Sequence, residues 1–139
     1  MQGKHLGFTL IEILAVLLLI SVLALIAYPN YISYIYKSNR LDAKNSLFHY
    51  QALWQQCLVN EINSDICLET VGLAPEQTQT SLAQHYHISA RHDEFIVTFK
   101  ATPLQNQIND NSCASFLLDS QGGMKAYDDT HQETTASCW

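Results

Sequence analysis

The chain has 139 residues, of which 47% are hydrophobic and 14% charged, and its formal net charge is -6. That length accommodates one domain with a modest core beside an anchoring segment. The acidic balance disfavours broad electrostatic attraction to nucleic acid or anionic lipid, and no internal repeat or low-complexity tract appears.

Met1 to Gly7 is too short for an ordinary secretory signal peptide, and its apolar region lies on the wrong side of the small residue. Phe8 to Tyr28 is a nearly unbroken apolar run, with Ser21 the only polar residue between Ile13 and Ala27. At a rise of about 1.5 Å per residue, this helix reaches about 31 Å, close to the hydrocarbon thickness of a bilayer. Glu12 lies near its outer end, where a carboxylate costs on the order of a few kcal/mol unless something compensates it. The residue is therefore expected to find a partner in another molecule. Lys4 is the only Lys or Arg before the anchor, which predicts a cytoplasmic N-terminus and a periplasmic remainder. Removing residues 1–7 leaves six basic against thirteen acidic residues, or -7 before the termini.

Pro29 interrupts the helical register and is expected to kink it. Beyond it, Tyr31, Ile32, Ile35, Leu41, Ala43, Leu47, Tyr50, Trp54, Cys57 and Leu58 recur mostly at spacings of three and four. This pattern predicts an amphipathic helix from Asn30 to about Asn60. Phe8 to Asn60 would then form a rod roughly 80 Å long.

Residues 61–84 carry Gly72, Pro75 and many Asn, Gln, Ser and Thr residues, and read as an irregular loop. Strands are predicted over His85–Arg91 and Glu94–Ala101, the second with Phe95, Val97 and Phe99 on one face, and His92-Asp93 as the turn between them. Ala114–Ser120 reads as a third strand. Gln121-Gly122-Gly123 is a turn signal, and Met124–Tyr127 a short fourth strand. The expected fold class is α+β: a long N-terminal helix, half transmembrane and half amphipathic, packed on a three- to four-stranded antiparallel sheet. The expected divisions are a leader (1–7), a membrane helix (8–29) and a head (30–139).

A periplasmic head should have its four cysteines oxidised. Three pairings are possible. Cys57–Cys67 with Cys113–Cys138 is favoured because neither loop crosses the other, and a loop of this size contributes about 3 kcal/mol in the chain-entropy model. The cysteine spacings do not fit zinc motifs.

Other constellations carry less. His85 and His87 would share a strand face, but no third metal ligand accompanies them. Asp128, Asp129 and Glu133, with Asn109 and Asp110, offer oxygen ligands suited to calcium, against the reading of a solvated acidic loop. Lys37, Arg40 and Lys44 form a basic stripe that either meets lipid headgroups or a neighbour's acidic patch, or is a solvated helix face. No nucleophile-base arrangement or phosphate-cradling loop appears. The chain reads as a non-enzyme without a cofactor or metal.

The run Lys4-x-x-Gly7-Phe8-Thr9-Leu10-Ile11-Glu12 resembles the start of the type IV pilin family. That resemblance implies cleavage between Gly7 and Phe8 by a prepilin peptidase, followed by N-methylation of Phe8, which leaves the amine charged. It also implies that Glu12 pairs with the Phe8 amine of a neighbouring subunit and sets axial register, and that Ser21 to Tyr28 can unwind in the filament. Farther along, Ser38-Asn39-Arg40, Ala101-Thr102-Pro103, Asp110-Asn111-Ser112-Cys113, Phe116-Leu117-Leu118-Asp119, Gly122 and Cys138-Trp139 resemble minor pilins of the PilE/ComP type. The implied role is a minor subunit that primes or joins pilus assembly. Its implied partners are other major and minor pilins, the prepilin peptidase and the inner-membrane assembly platform. It would sit in the inner membrane before assembly and in the cell-surface pilus afterwards. The alternatives are a DNA-uptake receptor of the ComP type and a pseudopilin of a type II secretion system. Nucleic acid is disfavoured as a partner because Cys113 to Cys138 holds Asp119, Asp128, Asp129 and Glu133 against Lys125 alone. Arg91 and Lys100 are the only other Lys or Arg residues from Ile62 onward.

Overall fold

The computed structural model describes residues 7–139; Lys4 and the rest of the expected leader before Gly7 lie outside them. The chain divides into two compact units, the first ending at Ile35 and the second spanning Tyr36–Trp139. Helix α1 runs from Leu10 to Leu58.

In the first unit α1 is apolar on every side. Its most apolar eighteen-residue window has a mean hydropathy of 3.0, and none of that window is buried within the protein. Such a segment satisfies its backbone internally, as a bilayer requires. Two polar side chains do the same: Ser21 Oγ donates to Leu18 O (2.7 Å) and Asn30 Nδ2 to Ile26 O (3.1 Å). Pro29 lies inside the helix, which continues through it. The proline ring leaves one backbone carbonyl without its usual donor.

In the second unit Ala43, Leu47 and Trp54 of α1 are buried at helical spacing. The other elements are α2 (Ser64–Thr70), β1 (Gln79–Thr80), β2 (Tyr86–Asp93), β3 (Ile96–Pro103), β4 (Ser115–Asp119), β5 (Met124–Tyr127) and α3 (Thr135–Cys138). Two short 3-10 turns, Gln105–Asn109 and Asn111–Cys113, lead into β4. The strands pair in chain order, each antiparallel to the next. Period-two alternation turns Tyr86, Ile88, Val97, Phe99, Phe116, Leu118 and Ala126 into the core. Trp54 meets Phe99 edge-on (6.0 Å between centroids), and Tyr86 meets Phe116 in the same way (6.0 Å).

Two disulfides close the unit. Cys57–Cys67 joins the end of α1 to α2, and Cys113–Cys138 joins the second 3-10 turn to α3.

Several expectations change in detail. The sheet has five strands among the described residues rather than three or four. The extra strand, β1, and the helix α2 both fall in the segment expected to be an irregular loop. Asn63 starts α2 by accepting from the N–H groups of Asp65 (2.9 Å) and Ile66 (3.3 Å), the usual N-cap arrangement. The turn between β2 and β3 is at Glu94-Phe95, two residues later than His92-Asp93, so Phe95 is 89% exposed instead of facing the core. Leu41, expected on the packing face of α1, is also exposed.

Candidate assembly site and head surface

Gly7 is exposed, and a Cβ added there would meet nothing within 4 Å. Nothing in the surrounding fold therefore requires a glycine at this position. Phe8 is exposed beside it, and α1 begins two residues later. Thr9 and Glu12 form a reciprocal cap: Glu12 N–H donates to Thr9 Oγ1 (3.3 Å), and Thr9 N–H donates to Glu12 Oε2 (3.4 Å). This is a capping box, with threonine at the N-cap and glutamate three residues on. Glu12 thus has a partner within its own chain, at the long end of hydrogen-bond range, and its exposed carboxylate keeps capacity for a further donor. The spacing Thr9-x-x-Glu12 before an apolar run was the sequence signal for this role.

In the second unit, Asn39 and Arg40 meet Gln107 and Asp110, while Ser38 stays exposed. Arg40 donates to both oxygens of Asp110, from Nε (2.8 Å) and Nη2 (2.7 Å). The side chains are 13% and 3% exposed. Gln107 completes the network: its Nε2 donates to Asp110 Oδ2 (3.1 Å) and Tyr36 O (3.3 Å), and its Oε1 accepts from Asn39 (3.2 Å). The hydrogen bond to Asp110 raises the Arg40 guanidinium above its ordinary value, against the opposing effect of burial. The Tyr86 hydroxyl is buried beside this network without a hydrogen-bond partner. Burial, and then the Asp110 charge, push its pKa well up.

The expected basic stripe is consequently divided. Arg40 is committed to Asp110. Lys44 lies over the Trp139 ring (5.8 Å), and partial desolvation, with Arg40 nearby, lowers its pKa. Lys37 remains exposed. Trp139 itself packs edge-on against Phe48 and Phe116 and donates from Nε1 to Lys125 O (2.7 Å).

Asp42 was not singled out from sequence. It accepts from Ser81 Oγ, Ala83 N–H (3.0 Å) and His85 N–H (3.4 Å), and so pins α1 to the β1–β2 connection. Asp128 organises its own loop: the Gln132 N–H (2.8 Å) and Thr130 bonds to its carboxylate lower its pKa. Asp110 is not available to that loop, because Arg40 holds it. His87 is exposed on β2 while His85 precedes the strand, half-buried.

The cations of the sheet share one side. Strand register puts Ser89, Lys100, Leu117 and Lys125 in one cross-strand row, and Arg91, Thr98 and Asp119 in the next. These residues alternate with the core positions, so Arg91, Lys100 and Lys125 all lie on the outer face.

Residues 3–28 match the model of the prokaryotic N-terminal methylation motif. Residues 29–117, more than half of the chain, match the family model described as type IV minor pilin ComP, DNA uptake sequence receptor. The chain belongs to the ComP family of type IV minor pilins. It is a membrane-anchored pilin, and its family associates with other pilins in the pilus. No curated protein matches it.

Proposed function

We propose that this minor pilin is an assembly subunit, and that Glu12 takes the Phe8 amine of a neighbouring subunit as its partner. The supporting observation is the placement of an exposed carboxylate one helical turn into a span that carries no other Asp, Glu, Lys or Arg through Tyr28. Cleavage between Gly7 and Phe8 creates a cation at the same depth, and methylation preserves its charge. A pair of opposite charges in an apolar bundle interacts strongly only when they meet, so register follows from the pairing. The prepilin peptidase and the inner-membrane assembly platform are the processing and assembly partners in this reading. The N-terminus is cytoplasmic and the head periplasmic before assembly. Pro29, with Ser21 to Tyr28 before it, supplies the stretch that unwinds in the filament. The role is structural rather than catalytic and uses no cofactor.

Two variants test it. Gly7→Leu blocks leader removal, seen as an unchanged precursor mass; normal processing contradicts the assigned cleavage site. Glu12→Ala leaves membrane insertion intact but lowers the subunit's share of sheared filaments by at least about tenfold, since a charge-assisted bond contributes about 1.5–3 kcal/mol.

A DNA-receptor role is the second reading. Two observations favour it: the description of the matched family, and the gathering of Arg91, Lys100 and Lys125 on one sheet face. The acidic total and the Arg91–Asp93 pair (3.0 Å) oppose it. DNA binding by the full chain in detergent, titrated across salt, decides the matter. Binding that weakens steeply with salt and is lost in a Lys100→Ala, Lys125→Ala double variant supports the receptor reading. No binding at low salt leaves assembly alone.

A further inference from the structure

Beyond Ile88 no strand among the described residues pairs with the outer edge of β2, although α2 reaches β2 through Asp65 and His92 (2.7 Å). β1 covers only His87 and Ile88. The cause is a turn at Ala74–Gln77, where Gln77 N–H donates to Ala74 O (2.8 Å) and Glu76 adopts φ 70. The turn ends the pairing at Gln79 and leaves Pro75 and Glu76 facing Ala90 to His92 across a cleft.

The backbone there is directed outward. Tyr86 O accepts from Ser81 N–H (2.8 Å), and Tyr86 N–H donates to Ser81 Oγ (3.0 Å), so Tyr86 faces the β1 side. In antiparallel pairing the N–H and C=O of alternate residues point the same way. Ala90 and His92 therefore present theirs to the unpaired edge. A cleft of about 390 Å³ lies along it, lined by Ala90, Arg91 and His92, by buried Leu68, and by exposed Asp65 and Glu76.

The charge of this edge is acidic. Arg91 is paired with Asp93 (3.0 Å) and His92 with Asp65 (2.7 Å). Glu76 and Glu94 have no ion-pair partner among the described residues. An anion is disfavoured here, and nucleic acid with it. A second copy is disfavoured too, because symmetric edge pairing would bring like acids together.

We propose that the unpaired β2 edge is a docking site for an extended polypeptide segment of another protein, added as a strand beside Ala90 and His92 and carrying a basic side chain toward Glu76. Main-chain bonds would supply the pairing, and the cleft would select the side chains. β2 itself carries no proline and pairs with β3 in unbroken register, and α2 with the Pro75–Glu76 turn forms the far wall of the cleft in which the added strand would lie.

The test uses the labelled full chain in detergent micelles and a synthetic heptapeptide of alternating valine and lysine. Its controls are the same peptide with lysine replaced by glutamate and a backbone N-methylated version. The expected result is that the lysine peptide slows amide hydrogen exchange at Ala90 and His92 by at least about tenfold. The glutamate and N-methylated peptides would not, and Glu76→Lys would reverse the preference between lysine and glutamate. Failure of all peptides to bind would overturn the proposal, as would protection elsewhere. So would protection that rises with protein concentration alone, which would assign the edge to self-association.

Discussion

Asp110 is the residue whose environment depends most on one partner. A carboxylate this buried is tolerable because Arg40 grips both of its oxygens and Gln107 adds a third bond. Arg40→Ala leaves that charge unpaired and should lower stability by about 3–5 kcal/mol, whereas replacing both residues by apolar ones of similar volume should cost much less; denaturant titration in micelles checks this. Tyr86 carries a pH signature. Its folded-state pKa is raised above the ordinary 10.0, chiefly by burial. The linked stability is therefore complete below about pH 10 and falls as pH climbs beyond it. Tyr86→Phe should flatten that alkaline decline, because it removes the group that titrates. Glu12 was conspicuous in the sequence because an acid in an apolar run is rare, whereas Asp110 stood out only beside the loop acids and in the family-like segment before Cys113, not as a buried ion-pair partner. Its partner lies 70 positions away, and no local spacing encodes such a pair.

At the scale of elements, the disulfides hold what the short secondary structure cannot. Helix α3 has four residues, far too few to be stable alone. Cys113–Cys138 fastens it across a separation of 25 residues, which corresponds to about 3–4 kcal/mol in the chain-entropy model. Cys138→Ser should lower the melting temperature under non-reducing conditions and loosen Trp139 from Phe48 and Phe116, seen as a red shift of tryptophan fluorescence. An unchanged melting temperature would contradict this. The central strands were legible because their apolar residues alternate: Tyr86 and Ile88, Val97 and Phe99, Phe116 and Leu118. β1 was not, since two residues carry no period. α2 was hidden by the polar and turn-forming residues around it, although Asn63 ahead of Ile66 and Leu68 is a helix-start signal. Phe95 misled because it continues the alternation of Val97 and Phe99, yet Glu94 takes φ 45 and puts the turn there.

For the molecule as a whole, the two units express two different solvents. The first exposes an apolar helix on all sides, which is stable in lipid or among like helices and unfavourable in water. The second buries a small core and carries an exposed, acidic surface. That division was the most legible feature of the chain, because hydropathy varies over tens of residues and needs no tertiary knowledge. At the N-terminus the acid in the apolar run pointed only to a partner in another molecule, and the structure adds one within its own chain. The reciprocal bonds of Glu12 with Thr9 serve the helix start, and the proposed charge pair serves a neighbouring subunit. Glu12→Gln separates them, since glutamine retains the capping box but carries no charge. The decisive measurement is the amount of Glu12→Gln subunit in sheared filaments beside wild type and Glu12→Ala. The charge-pair account predicts that glutamine fails as alanine does, with membrane levels of all three equal. Incorporation of Glu12→Gln at the wild-type level would contradict it and leave Glu12 as a helix cap alone.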